Sequence, residues 1–161
     1  MVEFFPASPS DALTIVKTRQ KAWASTYRGI YPDDAIDRFD YEWHLKAEQQ
    51  RLKNPNFHCF MVMDEAMCVG YYSYGTMRDQ FWFHSLYLMP NYQGCGLGRQ
   101  IFEIVKHACL DAGYHTMYLD CHPANHRALG FYLHMGGKVI MMDSGHENHQ
   151  EDGCTIEYCF I

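Results

Sequence analysis

A glycine-rich turn between a strand and a helix is the feature that most constrains how this chain can fold. The segment Phe81 to Met89 is almost continuously apolar, which is typical of a strand covered on both faces of a sheet. Pro90 ends that strand, and the run Gln93 to Gly98 (QGCGLG) follows. Apolar residues then recur at helical spacing up to Gly113, which predicts an amphipathic helix. The chain must therefore place a central strand, a glycine turn and a helix in direct succession.

The glycine turn has the chemistry of an anion-binding site. Glycines let the backbone approach a ligand closely, and the N–H groups at a helix N-terminus favour negative charge. Arg99, in the first helical turn, can add a charge-assisted contact to a phosphate. A nucleotide-triphosphate loop is excluded, because Arg99 and Gln100 stand where Lys and Ser or Thr are needed. The dinucleotide fingerprint is excluded, because Gly94, Gly96 and Gly98 have the wrong spacing and follow a predicted meander.

The remaining segments predict an α/β (mixed α+β) fold with a mixed, largely antiparallel sheet flanked by helices. No repeat, low-complexity tract or linker interrupts the sequence, so residues 1–161 are expected to form a single domain. Apolar runs and turn residues predict the element order β-α-α-β-β-β-α-β-α-β-β. The predicted strands are 2–6, 57–63, 68–77, 80–89, 115–121, 138–143 and 155–161. The predicted helices start near 8–10, 33, 97 and 125, and end near 29, 51, 113 and 135.

Composition narrows the classes of function. The hydrophobic fraction of 48% over 161 residues supplies ample material for one compact core. A formal net charge of -6 argues against nucleic-acid partners and mildly favours cationic small molecules. No segment approaches the length of about 20 apolar residues that spans a bilayer, and the N-terminus lacks a signal-peptide layout. The seven cysteines have no Cys-x-x-Cys spacing, which fits free thiols. We therefore expect a cytoplasmic protein without a membrane partner.

The pattern Gln/Arg-x-x-Gly-x-Gly/Ala is matched by Gln93, Gly96 and Gly98. The segment Asn125 to Tyr132 (NHRALGFY), followed by Gly136 and Gly137, matches the pattern Asn-x-x-Ala-x-x-x-Tyr. These two motifs resemble the pyrophosphate motif and the later helix of the GNAT superfamily of acyl-CoA N-acyltransferases. Two motifs in the family's order are more specific than either alone. The resemblance covers most of the chain, most firmly residues 83–140, and implies a GNAT-like fold, acetyl-CoA as co-substrate and acetyl transfer to a primary amine.

The resemblance also implies roles for single residues. The strand ending at Leu88 should splay from its neighbour, often at a bulge, so that backbone groups bind pantetheine and the Leu88 N–H polarises the thioester carbonyl. Tyr132 is the candidate general acid for the departing sulfur, the alternative being a core aromatic. Asn125, seven residues earlier, should lie within about 20° of Tyr132 on one helical face and contact the pantetheine arm. The expected cofactor-binding residues are Leu86, Tyr87, Leu88, Gln93, Gly94, Cys95, Gly96, Leu97, Gly98, Arg99 and Asn125.

The base that deprotonates the amine has two candidates. His84 lies on the central strand, and an imidazole titrates close to neutral pH. Many family members carry a Glu in this part of the strand, whereas this chain does not. Strand alternation predicts that His84, Leu86 and Leu88 share one face, and a hydrogen-bonded core histidine is the alternative reading of His84. Asp120, at the end of the next strand, is the second candidate, acting directly or through a water.

Two further clusters carry weaker hypotheses. His146, His149 and Cys154 have a spacing that matches no usual zinc ligand set, so a solvated loop without metal is expected. Cys121 beside His122 invites a nucleophile hypothesis, but direct transfer from the thioester needs no such nucleophile.

The acceptor is not fixed by the sequence. Trp23, Tyr27 and Tyr31 with Asp33 and Asp34 would suit a cationic amine, and they would serve equally as core residues and a helix cap. The leading hypothesis is an enzyme that acetylates a small amine such as a polyamine, an aminoglycoside or an amino-acid-like compound. A protein N-terminus or lysine is a variant, and a non-catalytic acyl-CoA sensor is a different class. Dimers are common among members of the family, so a homodimer is compatible with the resemblance.

Overall fold

Seven strands form one mixed sheet in the computed structural model, which describes residues 1–161. The strands are β1 (Val2–Pro6), β2 (Phe57–Asp64), β3 (Met67–Met77), β4 (Gln80–Leu88), β5 (Thr116–Cys121), β6 (Lys138–Asp143) and β7 (Gly153–Cys159). Their order across the sheet is β1-β2-β3-β4-β5-β7-β6. All neighbours are antiparallel except β4 and β5, which are parallel. The predicted sheet type is confirmed, and β4 has the central position expected from its apolar sequence.

Five α-helices flank the sheet: α1 (Ala12–Thr26), α2 (Asp33–Asp37), α3 (Tyr41–Lys53), α4 (Leu97–Asp111) and α5 (His126–His134). The prediction of one helix from 33 to 51 is wrong, because α2 and α3 are separate. Phe39, between them, is buried, and the Asp40 side chain accepts a hydrogen bond from the Trp43 N–H at 3.0 Å. Asp40 is thus an N-cap that starts a new helix inside the predicted one. None of the helices combines the length and apolar character needed to cross a bilayer.

The helices cover both faces of the sheet. Helices α4 and α5 pack on one face and form the main core, in which the Phe102 ring of α4 lies 6.5 Å from that of Phe83. The main core consists of Val62, Val69, Tyr72, Phe81, Phe83, Ile101, Phe102, Val105, Cys109, Met117, Leu119, Cys121, Tyr132, Cys154, Ile156 and Tyr158. Helices α1 and α3 lie on the other face and are joined by a buried Arg19–Glu48 ion pair. Arg19 Nε also donates to the Tyr71 hydroxyl at 2.9 Å, which fixes this layer to β3.

Two irregularities open the middle of the sheet. Strands β4 and β5 pair only at Phe81 with Met117 and at Trp82 with Tyr118, so they separate beyond Trp82. The register between β3 and β4 also shifts at this point, since Tyr74 pairs with Phe83 while Ser73 pairs with Ser85. His84 is therefore the extra residue of a β-bulge. The splay expected from the family resemblance is present, and the bulge lies at its start.

Candidate functional site

The gap between β4 and β5 opens into a cavity of about 860 Å³. Its walls come from the outer half of β4, the end of β5, the glycine loop, the start of α5 and the end of α1. Of the predicted site residues, those that line the cavity are His84, Leu86, Tyr87, Leu88, Gln93, Gly94, Gly96, Gly98, Arg99, Asp120, Asn125 and Tyr132. The structure therefore brings together all three predicted proton-transfer residues and most of the predicted cofactor-binding residues.

The glycine loop has backbone angles that favour glycine. Gly94 has φ of 73° and Gly96 has φ of 91°, both in the left-handed region, and Gly96 is the N-cap of α4. The loop is fixed to the end of β4, since Gln93 Nε2 donates to the Leu88 carbonyl at 2.8 Å. Its glycines thus place the N-terminus of α4 at the cavity, as an anion site requires.

Two predicted cofactor-binding residues lie in the loop but do not line the cavity. The Cys95 side chain is exposed, and its thiol donates to the Tyr92 carbonyl at 3.0 Å. Leu97 is the first residue of α4 and is also absent from the cavity wall. Contact with a ligand through the side chains of these two residues is therefore not supported.

Arg127 is a cavity residue that the sequence analysis missed. It lies in the first turn of α5, and a Cβ added to Gly94 would be 3.5 Å from Arg127 Nη2. Arg99 lines the same end of the cavity, with Nη2 at 3.5 Å from His134 Nε2. A basic residue in the first turn of a helix is unfavourable, because the helix dipole is positive there. The position of Arg127 in the first turn of α5 therefore could have indicated an anionic ligand from the sequence. The two guanidinium groups make this end of the cavity positive.

The backbone of β4 directs polar groups into the gap. Met89 N–H donates to the Val69 carbonyl at 2.8 Å, so Met89 faces β3. Hydrogen-bonding directions alternate along an antiparallel strand, so the N–H groups of Leu86 and Leu88 point away from β3, toward β5. Since β5 does not pair with β4 beyond Trp82, these groups face the cavity.

Tyr132 lines the cavity, and its backbone is fixed in the core. Its side chain lines the cavity, although the residue is only 8% exposed. Its carbonyl accepts hydrogen bonds from the Tyr158 hydroxyl at 2.6 Å and from the Gly137 N–H at 3.1 Å. Burial raises the pKa of Tyr132 well above the ordinary value for tyrosine, so its hydroxyl keeps its proton at neutral pH.

Asn125 lines the cavity from the N-terminal end of α5. It precedes α5 as its N-cap, with φ of -81° and ψ of 75°, and its Oδ1 accepts from the Ala128 N–H at 3.3 Å. Asn125 therefore precedes the first residue of α5, and its carbonyl accepts the first intrahelical hydrogen bond, from the Leu129 N–H at 3.0 Å. Asn125 and Tyr132 both line the cavity.

The two candidate bases lie on the opposite side of the sheet from Tyr132. Leu86 and Leu88 pack against the main core, whereas the His84 ring lies 5.5 Å from that of Phe57 on the α1 side. The prediction that His84 shares a face with Leu86 and Leu88 is therefore wrong, and the bulge at His84 is the reason. Asp120 also lies on the α1 side, and its Oδ1 accepts from the Thr155 hydroxyl at 2.7 Å.

The electrostatics of His84 suit a base. Desolvation is the largest effect that lowers the pKa of His84, and the positive charge of Arg51 lowers it further. The negative charge of Asp120 raises this pKa. His84 keeps contact with solvent at the cavity wall, so a neutral imidazole is available to an incoming ligand near pH 7.

A group of aromatic and polar side chains closes the end of the cavity near α1. Tyr27 and Tyr31 stack with ring centres 4.2 Å apart, and His122 lies at their edge. This part of the cavity wall also contains residues that were not predicted as site residues, namely Ser25, Thr26, His122, Asp152 and Gly153. They come from three separate segments, so no local pattern in the sequence joins them.

The other residues considered for a cationic acceptor lie outside the cavity wall. Trp23 packs edge-on against Tyr31 with ring centres 5.2 Å apart. Asp33 pairs with Arg28 at 3.1 Å, and Asp34 lies 3.9 Å from Arg38. Trp23 is thus a packing residue, and the two carboxylates are engaged on the surface.

The weaker hypotheses find no support in the geometry. Burial raises the pKa of Cys121 to about 12, so its thiol is not a nucleophile at neutral pH. His146 Nε2 pairs with Asp143 at 2.7 Å and His149 Nδ1 with Asp152 at 3.2 Å, while Cys154 is buried in β7. No group of three or more histidine, cysteine or acidic side chains converges as metal ligands.

Comparison with known proteins identifies a family. Residues 18–136 match the model of the acetyltransferase (GNAT) family. Thialysine N-ε-acetyltransferase of Mus musculus is 27% identical over 107 residues, which is 58% of this chain and 62% of that protein. A putative [ribosomal protein bS18]-alanine N-acetyltransferase of Bacillus subtilis is 25% identical over 85 residues, covering 53% and 56%. The chain thus spans less than two thirds of the length of either relative.

Solved structures share the fold over almost the full chain. The PaiA N-acetyltransferase of Thermoplasma acidophilum, in complex with coenzyme A, has a TM-score of 0.79 at 19% identity and covers 99% of both chains. YncA of Salmonella typhimurium, a putative acetyltransferase with its cofactor acetyl-CoA, has a TM-score of 0.72 at 16% identity and covers 100% of this chain and 95% of its own. At these identities the similarity concerns the fold.

Proposed function

Because the chain belongs to the acetyltransferase (GNAT) family, we propose that it transfers an acetyl group from acetyl-CoA to a primary amine of a small, cationic molecule. The observation that carries the proposal is the charge distribution of the cavity. Arg99 and Arg127 stand beside the glycine loop, whereas Asp120 lines the cavity on the α1 side of the sheet, and Asp152 lines it with both carboxylate oxygens engaged by His146 and His149. A polyanionic donor and a cationic acceptor would approach the splayed strands from opposite sides.

The glycine loop fits the pyrophosphate of coenzyme A. Left-handed glycines at 94 and 96, the N-terminus of α4 and two guanidinium groups supply the donors that an anion of this size needs. The pantetheine arm would lie in the gap along β4, beside Leu86, Leu88 and Asn125. This arrangement would place the thioester carbonyl near the Leu88 N–H, which can stabilise the charge that develops on its oxygen.

The proton-transfer residues divide between the two sides of the sheet. On the α1 side, His84 or Asp120 would take a proton from the ammonium group, so that the neutral nitrogen attacks the carbonyl carbon. The carbon–sulfur bond then breaks, and Tyr132 on the α5 side would donate its hydroxyl proton to the leaving sulfur. The second proton that the nitrogen loses as the amide forms would restore the Tyr132 hydroxyl through solvent. This separation supports direct transfer, because base and acid face opposite sides of the reacting carbon.

The acceptor end favours a positive charge. One Asp120 oxygen is engaged by Thr155, the carboxylate is exposed, and the stacked Tyr27 and Tyr31 rings line the same cavity. Aromatic faces and a carboxylate together are a common environment for ammonium groups. The name of the thialysine N-ε-acetyltransferase describes a small cationic amine as its acceptor, which supports the same class here.

The proposal is tested by measuring thiol release from acetyl-CoA with matched amines. The pair 1,5-diaminopentane and pentylamine differs in one charged group, so kcat/KM should favour the diamine, by about tenfold for one partly screened charge contact. The Asp120→Asn variant should reduce this preference. Faster acetylation of a peptide N-terminus than of either amine would favour a protein acceptor. Saturable acetyl-CoA binding without thiol release would favour a non-catalytic sensor.

A further inference from the structure

We propose that His122 is a positioning residue that fixes one wall of the acceptor end of the cavity. We call residues 146–153 the acceptor wall, because Asp152 and Gly153 at its end line the cavity. The inference rests on the proposed function, since it assigns this wall to the amine and not to acetyl-CoA.

Both ring nitrogens of His122 are engaged, and each has a defined role. The residue follows β5 and is 7% exposed. Its Nδ1 lies 3.1 Å from the Ala124 nitrogen, whose N–H can only donate, so Nδ1 is the acceptor. Its Nε2 lies 2.5 Å from the His149 carbonyl oxygen, which can only accept, so Nε2 carries the hydrogen. One neutral tautomer satisfies both contacts.

The contact to His149 holds the turn that presents Asp152. The His149 carbonyl also accepts from the Asp152 N–H at 3.1 Å, which closes the turn. Asp152 Oδ1 accepts from the His146 N–H at 3.1 Å, and its Oδ2 lies 3.2 Å from His149 Nδ1. Hydrogen bonds of Asp152 to His146 and His149 thus hold the acceptor wall together, and the hydrogen bond from His122 connects it to the end of β5.

The His122 ring also contacts the tyrosine pair edge-on. The ring centres of Tyr27 and Tyr31 lie 6.2 Å and 5.8 Å from that of His122. Tyr31 also borders a neighbouring groove of about 560 Å³ that separates Ile30 and Pro32 from the acceptor wall. His122 therefore stands between the tyrosine pair and the acceptor wall, and it sets their separation.

Two substitutions separate the two contacts of His122. In His122→Asn, the side-chain oxygen can still accept from the N–H two residues later, but the side chain is too short to reach His149. In His122→Gln, the longer amide can donate to the His149 carbonyl in place of Nε2. Losing one such hydrogen bond corresponds to about a threefold to tenfold change in an equilibrium constant.

The kinetic test uses acetyl-CoA with 1,5-diaminopentane as the acceptor. We expect His122→Asn to raise the KM of the diamine by about threefold to tenfold with the KM of acetyl-CoA nearly unchanged, and His122→Gln to restore the wild-type value. The control is His107→Asn, the same substitution at an exposed position of α4 outside the cavity wall, which should change neither KM. Equal increases in both KM values, or no rescue by glutamine, would overturn the proposal.

Amide hydrogen exchange without substrates gives a second, independent readout. Exchange in residues 146–153 should be faster in His122→Asn than in wild type and His122→Gln. Unchanged exchange in His122→Asn contradicts the positioning role even if the kinetics change. If wild type turns over no amine, the proposed function fails, and the exchange measurement still decides whether His122 holds the acceptor wall.

Discussion

Adding one methyl group at Gly137 should reduce both stability and turnover. Gly137 lies between α5 and β6, and a Cβ there would be 2.5 Å from Ile156 Cγ2 and 2.9 Å from both Tyr158 Cζ and the Tyr132 carbonyl oxygen. Ile156 is 0% and Tyr158 is 2% exposed, so neither side chain can move without repacking the main core. Overpacking of this kind costs about 1–3 kcal/mol.

The same change should disturb Tyr132. The Tyr132 carbonyl is held by the Gly137 N–H and by the Tyr158 hydroxyl, and both donors must shift if residue 137 becomes Ala. Misplacement of a reacting group by about 1 Å can reduce turnover by about a hundredfold. We therefore expect kcat of Gly137→Ala to fall by at least about tenfold, while the KM of acetyl-CoA changes much less.

Gly130→Ala is the matched control. Gly130 is exposed in α5, and no atom lies within 4 Å of a Cβ added there. Alanine is favoured over glycine inside a helix by about 0.8–1 kcal/mol. A change of 1 kcal/mol shifts Tm by about 2–4 °C in a protein of this size. In thermal unfolding, Gly137→Ala should lower Tm by about 2–10 °C and Gly130→Ala should raise it by about 2–4 °C. Equal changes, or a Gly137→Ala variant as stable as wild type, would refute the packing argument.

Three further substitutions test single residues of the cavity. Tyr132→Phe should lower kcat by about a hundredfold with acetyl-CoA affinity by calorimetry unchanged, and an unchanged kcat would remove Tyr132 as the acid. Because desolvation lowers the pKa of His84, kcat/KM of the wild type should fall only as pH drops through that lowered value. His84→Gln should abolish this acidic limb, and a retained limb would favour Asp120 as the base. Arg127→Ala should raise the acetyl-CoA dissociation constant by about tenfold; unchanged affinity would place Arg127 outside the phosphate site.

Features fixed by local chemistry were predictable from the sequence. Gly94 and Gly96 adopt positive φ because few other residues do so without strain, and their spacing next to an apolar strand indicated the loop. The place of Tyr132 in the cavity wall was also predictable, because it lies in a short motif on one helix. The helix break at Asp40 was not predicted, although aspartate is a common N-cap residue. In the sequence, an N-cap aspartate looks the same as an exposed aspartate within a continuous helix.

Features set by tertiary contacts were not predictable. Strand alternation placed His84 beside Leu86, and a bulge with no distinct sequence signature moved it to the opposite face. The acceptor end joins Tyr27 and Tyr31 to His122 and Asp152, which are widely separated along the chain. The order of strands in the sheet and the packing of α1 bring these residues together, so their shared location depends on the fold and not on any motif.

Product analysis during turnover tests the central claim most directly. The protein is incubated with acetyl-CoA and an amine, and free coenzyme A thiol and acetylated amine are quantified together by mass spectrometry. Direct transfer predicts equal amounts of the two products, with cationic amines preferred and with no acetylated protein accumulating. Thiol release without acetylated amine, or acetyl-CoA binding with neither product, would contradict the account.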